Sequence, residues 1–222
     1  VPDPPGVGGR DRRLPVLVGA SYLALHRIGE HAIHPILRWP HPILSTSVGV
    51  DGELAFDSQT NRSHLVRIPL AGGAQVTLTN GNSADRQPCF SHDGRYLIYA
   101  SNRTGPSSIW RLELATGTID RLTRCEQEDW DPAFTPDDSH VLFSSSRTGN
   151  YEIWMADADG SNPRQVSHDG SDAENRAMPK DGGWVIYSSG RATSGGLYKG
   201  HPDGAGAARL VKSAADIPDR ST

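Results

Sequence analysis

Short apolar segments separated by polar turns follow one another along this chain at a constant step. In the segment Tyr151–Ala156, for example, Ile153 and Met155 fall on one face and Trp154 on the other, which is typical of a β-strand. No helical pattern interrupts the segments, so they predict antiparallel hairpins. Residues 131–167 contain four predicted strands, which are Pro132–Thr135, Val141–Ser144, Tyr151–Ala156 and Arg164–Ser167.

The landmarks of this unit return 44 residues earlier and 44 residues later. One four-stranded unit cannot bury its own apolar faces, but several units stacked around an axis can. A period of about 40–45 residues is typical of propeller blades. The repeated positions include Trp110, Trp154 and Tyr198 in the third strand, and Arg103, Arg147 and Arg191 in the turn before it.

Two consecutive repeats carry motifs that resemble a known family. They are F-S-H-D-G-R-Y-L-I-Y-A-S-N-R-T-G at Phe90–Gly105 and I-W-M-A-D-A-D-G-S-N-P-R-Q-V-S at Ile153–Ser167. Both are similar to the TolB-type propeller repeat, which resembles WD-repeat propellers in shape but lacks their Trp-Asp signature. The resemblance is strongest over residues 87–167 and weakest over residues 48–79. It implies a propeller family whose members close with six blades and whose relatives close with seven.

The predicted fold is therefore an all-β β-propeller of four-stranded antiparallel blades, each about 44 residues long. Four to five such blades fit this chain, which favours an incomplete six- or seven-bladed propeller over a small closed one. An open propeller would expose strand edges and a core face, and would therefore tend to self-associate. The predicted blades are 14–42, 43–79, 87–123, 131–167 and 175–211, between an irregular segment 1–13 and a polar tail 212–222.

Composition narrows the classes of function. The chain has 222 residues, and its net charge of −4 with 22% charged residues does not suggest a nucleic-acid partner. No apolar run approaches the roughly 18 residues of a membrane-spanning helix, and no signal-peptide pattern is visible. The high content of Gly (24) and Pro (16) suits a chain rich in turns.

The loops before each first strand should share one face of a propeller with the turns between second and third strands. On that face the sequence places many acids and the repeated arginines. One interpretation is a mouth that receives a peptide segment or a cation; the other is that each arginine pairs with a loop carboxylate and fixes adjacent blades. The candidate binding residues are Gln87, Arg103, Glu128, Asp129, Trp130, Asp131, Arg147, Asn175 and Arg191.

Trp130 differs from the other tryptophans because the repeat does not require it. The equivalent positions hold Arg86 and Glu174. An aromatic side chain that occurs once, on a loop, is a better binding candidate than one that recurs in every blade.

The sequence offers no catalytic motif: it contains neither a Gly-x-Ser-x-Gly elbow, nor a P-loop, nor His-Glu-x-x-His. His31, His34 and His41 are close in sequence, but the prolines between them favour solvated loop histidines over a metal site. We therefore expect no catalytic residue, no metal ligand and no cofactor.

Two functions remain open. The TolB resemblance implies a non-catalytic scaffold that binds a protein or peptide at the propeller mouth, in a periplasmic or other extracytoplasmic setting. The alternative is the propeller domain of a hydrolase or lyase, because similar propellers precede the hydrolase domain of prolyl-oligopeptidase-type peptidases and related ones form metal-dependent lyases.

Overall fold

The computed structural model describes residues 13–17, 22–27, 33–39, 43, 45–50, 52–59, 62–190 and 195–211. In these residues the strands form five antiparallel sheets, each with its strands in chain order. The predicted all-β propeller of four-stranded blades is confirmed, although the first sheet has three strands in the described ranges. We number the sheets as blades one to five.

The strands of the first three blades have the following bounds. Blade one contains β1 (Arg13–Leu17), β2 (Tyr22–Arg27) and β3 (Ile33–Arg38). Blade two contains β4 (Thr46–Val48), β5 (Glu53–Gln59), β6 (Ser63–Pro69) and β7 (Val76–Thr77). Blade three contains β8 (Asp85–Phe90), β9 (Tyr96–Ser101), β10 (Ser108–Glu113) and β11 (Ile119–Arg121).

The last two blades repeat the pattern of blade three. Blade four contains β12 (Asp129–Phe134), β13 (His140–Ser145), β14 (Glu152–Asp157) and β15 (Arg164–Gln165). Blade five contains β16 (Ala173–Ala177), β17 (Val185–Ser189), β18 (Gly196–Gly200) and β19 (Ala208–Val211). The observed first strand of blade four begins three residues before the predicted one.

The central residues of the second strands are apolar because a middle blade is buried on both faces. In β13, Val141 and Phe143 pack toward the Ile98 and Ile109 side chains of blade three. Leu142 points the other way, into a cluster with blade five. The core therefore lies between sheets rather than beneath one of them.

The ends of the sheets define two faces of the molecule. The first strands β4, β8, β12 and β16 contact one another in turn, so they are innermost. Each first strand begins beside the end of the second strand of its blade. In blade four, for example, Asp129 pairs with Ser145. We call this end the mouth face, and the opposite end, where first and second strands are joined, the turn face.

Each innermost strand of blades three to five has an irregular register near its start. In blades three and four the bulge holds Gln87 and Asp131, which adopt the left-handed backbone with φ of 54° and 53°. A bulge turns one extra residue out of the ladder, so both polar side chains leave the sheet toward its neighbours.

The far face of blade five is less covered than that of blade four. Ile153 and Val166 of blade four are 0% and 3% exposed against blade five. The equivalent Leu197 and Leu210 of blade five are 44% and 45% exposed. Among the described residues, none covers these two positions as blade five covers Ile153 and Val166.

Several predictions fall on residues outside the described ranges. They concern the irregular segment before Arg13, the tail 212–222, His31, His41 and Arg191. Within the described residues, no helix is long and apolar enough to cross a membrane.

Candidate functional site

Two of the repeated arginines, Arg103 and Arg147, are paired with carboxylates at the mouth face. Arg147 Nη2 lies 3.1 Å from Asp129 Oδ1 and 3.3 Å from Asp129 Oδ2. Arg103 Nη2 lies 3.1 Å from Asp85 Oδ2. Both carboxylates are 0% exposed, so each guanidinium neutralises a buried charge.

Aromatic rings complete the setting of these arginines. The Arg147 guanidinium carbon lies 4.5 Å from the ring centroid of Trp154, and the Arg103 carbon lies 4.9 Å from that of Trp110. The pairing matches the second of the two interpretations made from the sequence, with one difference: Asp129 and Arg147 belong to the same blade. The ion pairs therefore fasten the loop of one blade to its own first strand.

The centre of the mouth face contains a chain of hydrogen bonds that crosses three blades. The Gln87 backbone N–H donates to Ser45 Oγ at 3.0 Å. The Asp131 N–H donates to Gln87 Oε1 at 3.0 Å, and Gln87 Nε2 donates back to the Asp131 carboxylate. The bulged residues thus bond blade to blade, and Asp131 is held by its neighbour.

Arg176 enters this centre from blade five. Its Nη1 lies 3.5 Å from Asp131 Oδ2, and its side chain is only 6% exposed. Its Nε is buried without a hydrogen-bond partner in the described part of the chain. Burial lowers the pKa of the guanidinium, and the charge of Asp131 opposes that shift. A buried donor is therefore available beside the central carboxylate.

A second cluster, which we call the rim cluster, consists of Glu128, Trp130 and Tyr151. Glu128 Oε2 accepts hydrogen bonds from Trp130 Nε1 at 3.1 Å and from the Tyr151 hydroxyl at 2.8 Å. Burial and the bond to Glu128 raise the pKa of Tyr151 to about 12. One exposed carboxylate therefore orients two aromatic side chains at the loops of blade four.

Further acids lie beside the rim cluster. Partial burial, and then the charges of Asp131 and Asp172, raise the pKa of Glu174. Asn175 lies in β16 next to Glu174, at the position of Gln87 and Asp131 in the repeat. The structure thus places the predicted residues of blades three to five at the mouth face, apart from Arg191, which lies outside the described residues.

Two residues of this region were not predicted. Tyr151 occupies the repeat position that holds Ser107 in blade three and Gly195 in blade five. Arg176 occupies the position that holds Pro88 and Pro132 in the two blades before it. Both could have been found by the criterion that singled out Trp130, since neither type recurs at its position.

The described residues include no group of three or more His, Cys, Asp or Glu side chains close enough to hold a metal ion. Two acids of the mouth face, Asp129 and Glu128, are instead bonded to arginine, tryptophan and tyrosine side chains. What this face can do chemically is accept hydrogen bonds and positive charge beside aromatic rings.

A model of the TolB beta propeller domain matches residues 50–217. This chain belongs to the TolB β-propeller family. No curated protein sequence matches it. The family match extends the resemblance carried by the two central repeats to most of the chain, including blade two and blade five.

Solved structures share the fold at low sequence identity. A protein assigned as TolB from Agrobacterium tumefaciens is 21% identical with a TM-score of 0.80, over 90% of this chain and 76% of that one. TolB from Acinetobacter baumannii is 20% identical with a TM-score of 0.75, over 89% and 51%. An oligogalacturonate lyase in complex with manganese is 13% identical with a TM-score of 0.70, over 91% and 62%. The chain therefore spans about three quarters of the first and half of the second.

Proposed function

We propose that this TolB-type propeller is a non-catalytic scaffold that binds a peptide segment of a partner protein at its mouth face. The supporting observation is the rim cluster, in which Glu128 orients Trp130 and Tyr151. Neither aromatic residue recurs in the other blades, so the repeat does not account for them. Oriented aromatic side chains with a polar tip are typical anchors of protein interfaces.

The charges around the cluster favour a basic residue in the bound segment. Glu128, Asp172 and Glu174 are exposed acids on this face. The neighbouring Arg103 and Arg147 are already paired with buried carboxylates. A lysine or arginine of the partner would pair with Glu128 or Glu174 and stack on Trp130.

The central residues would form the floor of the same site. Gln87, Asp131 and Asn175 occupy equivalent positions on three adjacent first strands, and Arg176 adds a buried donor beside Asp131. Polar groups in such a row suit the backbone N–H and C=O groups of an extended peptide. Arg103, Asp129 and Arg147 would support the site by holding its loops, and a role for Arg191 stays a prediction.

A labelled-peptide titration tests this function. The probes are dye-labelled hexapeptides that differ only in a central Lys, Gln or Glu, followed by fluorescence anisotropy. We expect binding in the order Lys, Gln, Glu, and weaker binding of the Lys peptide as salt rises. Equal binding of all three peptides, or none by any, would contradict the proposal.

The matched variants are Glu128→Gln and Glu113→Gln. Glu113 ends β10 on the turn face, where it accepts a hydrogen bond from Thr116. We expect Glu128→Gln to lower the affinity for the Lys peptide by about tenfold, which corresponds to the loss of one charge-assisted hydrogen bond. Glu113→Gln should leave its affinity unchanged, and equal losses in both variants would contradict binding at the mouth face.

The alternative function, a propeller domain of a hydrolase or lyase, stays a hypothesis. The likeness to the lyase at 13% identity concerns the fold alone. A stoichiometric metal in the purified protein, with cleavage of an oligogalacturonate, would favour it. The extracytoplasmic setting is likewise an inference from the family and not from the residues of this chain.

A further inference from the structure

A cleft of about 360 Å³ opens on the turn face, between blades four and five. Its walls include Met155 and Met178, and its rim includes Arg164 and Lys180. A volume of this size suits a small organic molecule. The cleft lies at the end of the sheets away from the rim cluster, so it is separate from the proposed peptide site.

At the equivalent positions of the junction between blades three and four, side chains fill the space. The opening of about 340 Å³ at that junction lies elsewhere, against Leu122, Arg147 and Gly160. Arg111 lies with its guanidinium carbon 4.8 Å from the ring centroid of Tyr96. The same guanidinium donates to the Ala158 carbonyl at 3.0 Å and to Asp120 Oδ2 at 3.1 Å. An arginine and a tyrosine thus occupy the space between these two blades.

A carboxylate also links the two blades at the turn face of the three–four junction. Asp138 of blade four accepts backbone hydrogen bonds from His92 and Asp93 of blade three, both at 2.9 Å. It also bonds the His92 ring nitrogen Nδ1 at 2.8 Å. We call this arrangement the Asp138 clamp.

The four–five junction has lost each of these groups. At a step of 44 residues, Met155 replaces Arg111, His140 replaces Tyr96 and Gly182 replaces Asp138. Gly182 retains the left-handed backbone, with φ of 67° against 57° at Asp138. A Cβ added at Gly182 would meet nothing within 4 Å. The cleft is therefore the space that the clamp and its neighbouring side chains fill one junction earlier.

The rim of the cleft is more positively charged than the equivalent part of the three–four junction. Arg164 stands where the three–four junction has Asp120, and Lys180 stands where it has Pro136. Among the described residues, neither Arg164 nor Lys180 forms a side-chain ion pair. The two nearby acids are turned into their own loops: Asp137 accepts from Thr135 Oγ1 at 2.6 Å, and Asp181 accepts from the Gly183 N–H at 3.1 Å.

We propose that this cleft binds a small organic acid, whose carboxylate takes the place of the Asp138 side chain and whose short aliphatic chain packs on Met155 and Met178. One of the clamp's two backbone donors remains: the Asp137 N–H is equivalent to the Asp93 N–H and would donate to that carboxylate, whereas Pro136 replaces His92 and has no N–H. Lys180 and Arg164 supply the opposite charge. In the three–four junction the Asp138 carboxylate already lies beside the acidic Asp93, so such a neighbour is tolerated.

The two methionines make a direct test possible, because the chain contains only two. Both line the cleft, so carbon-13-labelled methionine methyl groups would give two resonances that report on it. The probes are hexanoate, hexanamide, hexylamine and acetate. We expect hexanoate to shift both resonances saturably, with at least about tenfold lower affinity for each of the other three.

Gly182→Asp should restore the clamp carboxylate and abolish the hexanoate shifts. Gly94→Asp is the matched control, because Gly94 occupies the same turn position in blade three with φ of 72°. That control and the unsubstituted protein should bind hexanoate equally. Lys180→Gln should lower the affinity for hexanoate by about tenfold without changing the affinity for hexanamide.

Four results would overturn the proposal. Hexylamine binding at least as tightly as hexanoate would reverse the assigned charge, and unchanged methionine resonances at saturating hexanoate would place no ligand in the cleft. Undiminished hexanoate binding by Gly182→Asp would remove the equivalence with Asp138. Tighter binding of a blocked glutamyl peptide than of hexanoate would assign the cleft to peptide side chains rather than to a free acid.

Discussion

Blades four and five carry the same repeat, yet their far faces have different surroundings. Blade five covers Ile153 and Val166 of blade four, whereas Leu197 and Leu210 of blade five are nearly half exposed. The residue types are alike at both pairs of positions, so the difference comes from the neighbour. In a stacked fold, burial is a property of the interface between two units and cannot be assigned to one unit alone.

The mouth ends of these blades differ in a second way. Blade four has Asp129 beneath Arg147, but blade five has Ala173 at the position of Asp129. On the turn face, the Asp138 clamp holds blade four against blade three, and Gly182 removes the equivalent contact from blade five. Among the described residues, blade five therefore lacks the turn-face contact that joins blade four to its neighbour.

The largest effect should come from the buried carboxylate of blade four. Asp129→Ala leaves the Arg147 guanidinium without its partner, and we expect a loss of about 3–5 kcal/mol in the free energy of unfolding. Asp120→Ala, which removes the half-exposed partner of Arg111, should cost less than about 1 kcal/mol. Denaturant unfolding measures both, and similar losses would contradict the distinction.

The second comparison uses the two far faces directly. Ile153→Ala should reduce the free energy of unfolding by about 2–5 kcal/mol because it leaves a cavity between two sheets. Leu197→Ala, at the equivalent exposed position, should cost less than about 1 kcal/mol. A large loss from Leu197→Ala would mean that this face is covered in solution, and sedimentation at several protein concentrations would then show whether a second copy covers it.

The Asp138 clamp should have an intermediate effect. Asp138→Gly gives the three–four junction the residue that the four–five junction has, and the positive φ of 57° suits glycine. The two backbone donors of His92 and Asp93 lose their acceptor, so we expect a loss of about 1–2 kcal/mol. An unchanged unfolding curve would mean that the clamp does not stabilise the junction.

The smallest effect concerns the pH dependence of the turn of blade four. Hydrogen bonds from Thr135 and Ser139 lower the pKa of Asp137 from 3.8 to about 2. A lowered pKa in the folded state means that this contribution is present above pH 3.8 and is lost as the pH falls through about 2. Thr135→Val should shift the carboxyl carbon titration of Asp137 upward, and an unshifted midpoint would contradict the assigned cause.

The fold could be predicted because the same pattern of strand and turn residues recurs in several repeats. Trp154 and Arg147 recur with their equivalents in the blades before and after, and the Asp159-Gly160 turn recurs as Asp203-Gly204, so one blade supports the interpretation of the next. Which carboxylate pairs with Arg147 could not be predicted. A period of 44 residues places Asp129 on the correct face but does not say whether the contact lies within a blade or between blades.

The candidate sites were harder to predict because they depend on departures from the repeat. Trp130 was noticed as such a departure, whereas Tyr151 and Arg176 were not. The turn-face cleft depends on missing groups, since Gly182 and Met155 stand where Asp138 and Arg111 fill the previous junction. A missing side chain is noticed only once the contacts of its counterpart are known.

The hydrogen bonds among Ser45, Gln87 and Asp131 also bear on how the molecule folds. They join residues 42 and 44 positions apart, so each step closes a loop of nearly the same length. The entropic cost of each closure is therefore similar, and it is offset by contacts with the adjacent blade alone. Such a chain should assemble blade upon blade and lose its outer blades first, with amide exchange slowest in blades three and four.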